Sequence, residues 1–194
     1  MRLYAATTNP GKLREFRLAF KDAFEVESAP ALAQIPPCPE TGATFEENAV
    51  QKALYYSTSC DGYLFAEDSG LAVDALGGAP GVYSARFAGP GATDDANNRL
   101  LLDRMRGLSD RTARYVCVAA LTSAGKLIGT FRGEVEGRLT EEPRGNNGFG
   151  YDPLFFYPPF GCTFGESPLD RKMSVSHRAH ALRAMREFIN ARAL

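Results

Sequence analysis

The sequence has little that points to export, to metal-binding cysteine clusters or to a membrane. Its four cysteines, Cys38, Cys60, Cys117 and Cys162, form no C-x-x-C pair, which argues against a zinc site. No stretch approaches the roughly 18 apolar residues that a membrane-spanning helix requires. The apolar start of the chain is too short for a signal peptide. We therefore expect a cytoplasmic protein with reduced thiols.

Charge of one sign, internal repeats and low-complexity segments are also missing. The 22 basic and 23 acidic residues give a net charge of -1, which provides no general attraction to nucleic acid polymers or anionic membranes. A phosphate ligand would have to be held by a few well-placed cations. With 194 residues, of which 44% are hydrophobic, the chain can bury a core as one domain over residues 1–194.

Hydrophobic spacing predicts a mixed α/β protein. The predicted strands cover residues 2–8, 24–28, 63–68, 71–75, 114–122 and 126–140. The predicted helices cover residues 12–22, 45–59 and 93–106, with a last helix from residue 176. Thr44 and Glu47 form a capping box that marks the start of the second helix. Because strands and helices do not alternate strictly, we expect a long mixed sheet with helices on its faces.

The first stretch with chemical character is TTNPGK, residues 7–12, where a strand passes through a glycine turn into a helix. Such a turn directs backbone N–H groups and the helix dipole toward an anion, and Lys12 adds a positive charge. It is not a Walker A loop, because the first glycine is missing and Leu13 stands where Ser or Thr is needed. A plain helix start is the alternative interpretation.

The second stretch is an apolar run, residues 63–66, that leads directly into Glu67, Asp68 and Ser69. Successive residues of a strand face opposite ways, so Glu67 and Asp68 cannot both point into one site. We place Asp68 at the end of the strand, where a backbone bend exposes it. A carboxylate there can bind Mg²⁺ and orient or deprotonate a water; the alternative is a solvated turn aspartate. Glu40, at a loop end, is a second candidate carboxylate.

Two further stretches suit a nucleotide. In GNNGFGYDP, residues 145–153, the glycines let the ring of Phe149 close on the backbone, and Asp152 offers acceptors to a base or ribose. A phenylalanine packed in the core of an irregular hairpin is the alternative.

Lys172 precedes the basic helix start at residues 176–178. Basic residues there oppose the helix dipole, which is reasonable if an anion or a carbonyl oxygen binds to them.

Together these stretches resemble the inosine triphosphatase (Ham1-like) family, pyrophosphatases of non-standard purine nucleoside triphosphates. Its motifs stand in order as TTNPGKLREF, ETGATFEENAVQKA, AEDSGLAVDALGGAPGVYSARFAG, GFGYDPLFF and KMSVSHRAHAL. The resemblance runs from Thr7 to about Met185. It implies one α/β domain over residues 1–194, with an elongated two-lobed fold, a long central mixed β-sheet flanked by helices and an active-site cleft between the lobes. It also implies a homodimer.

The resemblance further implies hydrolysis of dITP, ITP and XTP to the monophosphate and pyrophosphate with Mg²⁺, which cleanses the nucleotide pool. It makes Asp68 the general base and a metal ligand, and it matches Glu40 to a metal-associated glutamate. The implied substrate contacts are Thr7, Thr8, Asn9, Pro10, Gly11, Lys12, Ser69, Phe149, Gly150, Tyr151, Asp152, Lys172, His177 and Arg178.

Three other functions compete with this interpretation. A nucleotide-binding sensor without chemistry is disfavoured by Asp68 and Glu40, because carboxylates near phosphates help only when a metal lies between them. A phosphatase of broad specificity would release orthophosphate and is distinguished by its products. A structural protein would leave the glycine-rich aromatic loop and the basic helix start unexplained.

Overall fold

The computed structural model describes residues 2–21, 23–58 and 60–192. The predicted helix ends at residues 22 and 59, and residues 1, 193 and 194 of the predicted domain, lie outside the described residues. The strands are β1 (Arg2–Ala5), β2 (Glu25–Ser28), β3 (Tyr63–Val73), β4 (Thr112–Ser123), β5 (Lys126–Leu139), β6 (Phe155–Tyr157) and β7 (Cys162–Thr163). The α-helices are α1 (Pro10–Ala19), α2 (Phe45–Ser57), α3 (Asp94–Arg104), α4 (Leu169–Met173) and α5 (His177–Arg192).

The seven strands form one mixed sheet in the order β2-β1-β3-β4-β5-β6-β7. Strand β1 runs parallel to β2 and β3, whereas β6 is antiparallel to β5 and β7. The neighbouring strands β4 and β5 are joined by residues 124–125 only, and such a short link allows only an antiparallel pair. The predicted mixed α/β sheet is therefore confirmed.

Local capping explains where the first two helices begin. Oδ1 of Asn9 accepts the N–H groups of Gly11 and Lys12, and Pro10 suits the first helical position, so α1 begins two residues earlier than predicted. The predicted capping box of α2 is confirmed, with reciprocal bonds between Thr44 and Glu47.

The chain divides into two compact units, and the first comprises residues 1–68, 117–133 and 177–194. Here β3 buries alternate side chains against different helices. Phe65 lies in a core cluster with Phe16 of α1 and Met185 of α5. Leu64 lies in another cluster, with Ala53 of α2. This alternation determines which helix each of the next strand residues meets.

The second unit comprises residues 69–116 and 134–176. Its core contains an aromatic group in which the Phe155 ring centroid lies 4.6 Å from that of Tyr115 and 5.0 Å from that of Phe164. Leu101 and Met105 join the same cluster. No helix within the described ranges is long and apolar enough to cross a membrane.

Candidate active site

The two adjacent carboxylates of β3 are both buried. The prediction of two strands separated near Ser69 is wrong, because β3 continues without a break through Tyr63–Val73. Asp68 is therefore not at a strand end, and it is only 6% exposed. The strand tolerates these charges because both side chains have hydrogen-bonded, oppositely charged partners. The predicted alternation is confirmed: Asp68 contacts α2, and Glu67 contacts α1 and α5.

On the α2 side of β3, Asp68 and Glu40 share one lysine. Nζ of Lys52 lies 3.1 Å from Oδ1 of Asp68 and 3.2 Å from Oε1 of Glu40. Asn48 donates its side-chain N–H to Oδ2 of Asp68 at 3.2 Å. Asn48 and Lys52 lie on one face of α2 because they are four residues apart. The two carboxylates predicted as metal candidates are thus brought together around a single cation.

Burial and neighbouring charges change the pKa values of Asp68 and Lys52. Burial raises the pKa of Asp68, while the positive charge of Lys52 acts in the opposite direction. For Lys52, burial lowers the pKa, but Asp68 and Glu40 outweigh it and the pKa is raised. Lys52 therefore remains a cation at neutral pH. Asp68 binds a proton more readily than a surface aspartate, which is a useful property in a general base.

On the other side of β3, Glu67 is the centre of a second buried group. Its Oε1 lies 2.6 Å from Nζ of Lys12 and 3.4 Å from Nη2 of Arg178. The thiol of Cys117 donates to its Oε2 at 3.1 Å. Arg178 also pairs with Glu15 through Nη1. Alternating charges therefore run from Lys12 through Glu67 and Arg178 to Glu15.

The two carboxylates of β3 differ in chemistry as well as direction. Burial acts to raise the pKa of Glu67, but Arg178 and Lys12 outweigh it and hold that pKa well below its ordinary value. Burial, with a contribution from Glu67, raises the pKa of the Cys117 thiol, which stays protonated and donates. Glu67 is thus a poor proton acceptor at neutral pH, and Asp68 is the better candidate base.

The turn between β1 and α1 leaves fewer backbone N–H donors for a phosphate than the sequence predicts. Oδ1 of Asn9 accepts the N–H groups of Gly11 at 2.8 Å and Lys12 at 3.1 Å. Two of the backbone donors expected to face an anion are therefore engaged by the helix cap. The side chain of Lys12, 23% exposed, is the cation of this turn. The other predicted residues of the turn are Thr7, Thr8 and Pro10.

In the second unit, Asp152 organises the glycine-rich aromatic loop. Its Oδ2 lies 2.5 Å from Nζ of Lys172 and accepts the N–H of Phe149 at 3.0 Å. The Tyr115 hydroxyl donates to Oδ1 at 3.3 Å. Nζ of Lys172 also lies 5.1 Å from the centroid of the half-buried Phe149 ring, within cation–π range. Asp152 thus positions both the lysine and the aromatic residue.

Helix α3 fixes the backbone of the same loop. The N–H of Gly150 donates to Asp94 at 2.6 Å, and Asn98 donates to the Gly150 carbonyl at 3.0 Å. The Tyr151 hydroxyl donates to the carbonyl of Ser84 at 2.8 Å. These bonds hold the peptide groups around the Phe149 ring in a defined position.

Two further predicted site residues are Ser69 and His177. Ser69 is half-buried within β3. His177 begins α5, one residue after the predicted start, and is buried. Among the residues that the structure describes, no three or more His, Cys, Asp or Glu side chains form a metal-binding group.

Four side chains that hold these charged groups were not predicted from the sequence, namely Asn48, Lys52, Glu15 and Cys117. The first two had a detectable signal, since they lie four residues apart on a capped helix beside its apolar face. Glu15 follows Lys12 by three residues, which also places the pair on one helical face. Cys117 lies in an apolar strand, and its partner on β3 could not be read from the chain.

The start of α5 depends on Gly133 of β5. A Cβ there would overlap the carbonyl oxygen of His177 and lie 2.5 Å from the backbone nitrogen of Ala181. Because these are helix backbone atoms, all of α5 would have to move. We expect Gly133→Ala to lower the free energy of unfolding by about 1–3 kcal/mol in urea denaturation, as overpacking does.

Gly129, on the same strand, is the matched control. An added Cβ there would lie 3.3 Å from the ring of Phe131, a side chain that can adjust. Alanine restricts the unfolded chain in both variants alike, so the difference between them comes from the contacts of the added Cβ. Gly129→Ala should therefore cost less than Gly133→Ala. Equal losses in the two variants would show that close packing at Gly133 does not position α5.

The fold and these contacts define the class of the protein as a mixed α/β protein with buried carboxylate–lysine pairs. The chain belongs to the Ham1 family, whose family model matches residues 3–188. It is 49% identical over 186 residues to the dITP/XTP pyrophosphatase of an Exiguobacterium species, covering 95% of each chain. It is 48% identical over 193 residues to that of Acidobacterium capsulatum, covering 94% of this chain and 95% of the relative. The Ham1 protein structure from Staphylococcus aureus matches with a TM-score of 0.88 and 35% identity over 99% of this chain and all of the other.

Proposed function

We propose that this protein hydrolyses dITP, ITP and XTP to the nucleoside monophosphate and pyrophosphate. Membership of the Ham1 family and the similarity to dITP/XTP pyrophosphatases support this activity. The observation that carries the proposal is the meeting of Asp68 and Glu40 at Nζ of Lys52, at 3.1 and 3.2 Å. An anion-binding sensor would gain nothing from two carboxylates near its phosphates, whereas hydrolysis needs a proton acceptor.

Asp68 is the residue that accepts a proton in this proposal. A carboxylate oxygen of Asp68 takes a proton from the attacking water, whose oxygen forms a bond to the α-phosphorus. The bond from that phosphorus to the bridging oxygen breaks, and pyrophosphate leaves. Asn48 and Lys52 hold the carboxylate in place through Oδ2 and Oδ1. The raised pKa of Asp68 favours proton transfer.

Mg²⁺ is the cofactor that fits these residues. Carboxylate oxygens are its preferred protein ligands, and Mg²⁺ commonly uses one or two carboxylates together with substrate phosphates. Asp68 and Glu40 already surround one cationic group, the ammonium of Lys52. We propose that these two carboxylates hold the ion, which would supply neutralisation of phosphate charge.

The substrate contacts are proposed from the resemblance, residue by residue. Lys12 and the turn before it bind the triphosphate, and Ser69 contacts the nucleotide. The loop from Phe149 to Asp152 forms a wall of the base pocket, and Lys172 supports it. We also propose that the protein forms a homodimer, that residues 1–194 form a single domain and that the protein is cytoplasmic.

Base selection follows from the group at purine position 6. Inosine and xanthosine carry a carbonyl oxygen there, to which we propose that His177 and Arg178 donate; adenine carries an amino group. Facing that group, the donors would be left unpaired at about 1–3 kcal/mol each. Adenosine triphosphate should therefore be a poor substrate.

The proposed reaction is tested by identifying its products. With Mg²⁺, the protein should convert ITP or XTP to the monophosphate and pyrophosphate in one step, and a chelator should abolish this conversion. ATP assayed in parallel should give about tenfold less product or lower, since one unpaired donor changes a rate by about that factor. A diphosphate intermediate or released orthophosphate would instead favour a phosphatase of broad specificity. Binding without any product would favour a sensor.

A further inference from the structure

Lys12, in the first turn of α1, is held by a carboxylate that the proposed reaction does not use. Nζ of Lys12 lies 2.6 Å from Oε1 of Glu67, and the side chains are 23% and 1% exposed. Lys12 can therefore reach solvent while the carboxylate cannot. The contact fixes the end of a long, flexible side chain that would otherwise sample many rotamers.

Glu67 is itself immobilised from several directions. The same Oε1 lies 3.4 Å from Nη2 of Arg178 on α5. Its Oε2 accepts the Cys117 thiol of β4 at 3.1 Å. Arg178 is tied in turn to Glu15 of α1, the helix that carries Lys12. Glu67 is thus a rigid anchor, and the position of the Lys12 ammonium is fixed relative to α1, β3 and α5.

Two physical effects of Glu67 on phosphate binding have opposite signs. Its negative charge lies beside the cation expected to bind a triphosphate, so Coulomb repulsion alone would weaken binding. The second effect, the positioning of the Lys12 ammonium by Glu67, strengthens phosphate binding. An ammonium has three N–H donors, and one bond to Glu67 leaves two for phosphate oxygens. A donor already held in place loses less conformational freedom when the ligand binds.

We propose that Glu67 is a positioning residue that presents Lys12 to the triphosphate and strengthens substrate binding despite its own charge. This inference rests on the proposed function. The fixed geometry of the carboxylate favours it, because a group serving only to neutralise Lys12 would not need contacts from two other elements.

The test compares KM and kcat for ITP in the wild type, Glu67→Gln, Glu67→Asp, Lys12→Gln and the Glu67→Gln/Lys12→Gln double variant. Glu67→Gln removes the charge and keeps the size, whereas Glu67→Asp keeps the charge and withdraws it by one methylene. Each should raise KM about tenfold or more, with a smaller change in kcat, since each disturbs a charge-assisted bond. In the Lys12→Gln background, the Glu67→Gln change should leave KM unaltered. Asp61→Asn, on the exposed turn before β3, is the control for loss of one negative charge.

Binding of inorganic tripolyphosphate, measured by calorimetry on the same variants, needs no turnover. It therefore separates this inference from the proposed reaction: a wild type that makes no pyrophosphate refutes the reaction, while the affinity series still decides the role of Glu67. An unchanged or lower KM and dissociation constant in both Glu67 variants would overturn the inference. So would an equal loss with Lys12 already removed, which would indicate a purely structural role. Should Glu67→Gln fail to fold, Glu67→Asp is compared in the wild-type and the Lys12→Gln backgrounds in its place.

Discussion

We expect Asp68→Asn to lower the turnover of ITP by about 10²-fold or more, the usual scale for loss of a general base. The amide keeps the size of the side chain but cannot accept the proton of the attacking water. The fold should persist, because Lys52 retains Glu40 as a partner at 3.2 Å. Steady-state kinetics with ITP, together with urea denaturation, measure the two effects separately.

The pH profile gives this experiment its sharpest readout. A base must be deprotonated to act, so wild-type kcat/KM should rise as pH increases through the raised pKa of Asp68. The residual activity of Asp68→Asn should lack that rise. Asp61→Asn serves as the matched control and should behave as wild type. Near-normal turnover of Asp68→Asn would place the base elsewhere and would remove the central step of the proposed reaction.

Arg178→Ala should destabilise the protein by about 3–5 kcal/mol, as expected when one partner of a buried ion pair is removed. Arg178 is 2% exposed and pairs with both Glu15 and Glu67. Its loss would remove a buried cationic partner from both Glu15 and Glu67. Urea denaturation gives the free energy of unfolding, and Arg183→Ala, at an exposed position of the same helix, provides the control.

The destabilisation should depend on pH with a definite sign. In the wild type, the depressed pKa of Glu67 contributes stability above its ordinary pKa of 4.5, and this contribution is lost as pH falls through the lower folded-state value. Without Arg178 the pKa of Glu67 should rise, and this carboxylate would take up a proton at a higher pH than in the wild type. The difference between wild type and Arg178→Ala should therefore shrink as the pH is lowered below 4.5. A difference that stays constant with pH would mean that the ion pairs do not cause the loss.

The same variant also tests how the protein selects the purine base of its substrate. Under conditions where Arg178→Ala is folded, activity on ITP should fall far more than activity on ATP. An unchanged ratio of ITP to ATP activity, with lower overall activity, would show that Arg178 pairs with the buried carboxylates and does not contact the purine base. Its ion pairs with Glu15 and Glu67 show that it already has such a structural role.

Several parts of the site could be predicted because they depend on local geometry. Residues of a strand alternate in direction, so Glu67 and Asp68 had to face opposite ways whatever surrounds them. The capping box at Thr44 and Glu47 uses only backbone groups of one helical turn, and it is present as predicted. The uninterrupted β3 could not be predicted, because two carboxylates in a buried strand are acceptable only with partners from distant parts of the chain.

The sequence by itself determined the mixed α/β class, the positions of most of its longer strands and helices and the residues that carry the family resemblance, because periodicity, caps and motifs are local properties. Only the tertiary structure decided which charges meet. Lys52 joins Asp68 to Glu40, and Lys12 and Arg178 converge on Glu67. These contacts arise from the packing of α1, α2 and α5 around β3, over separations along the chain that no local pattern records. Electrostatic energy depends on distance and burial, so the different proton affinities of two neighbouring carboxylates were set by the fold.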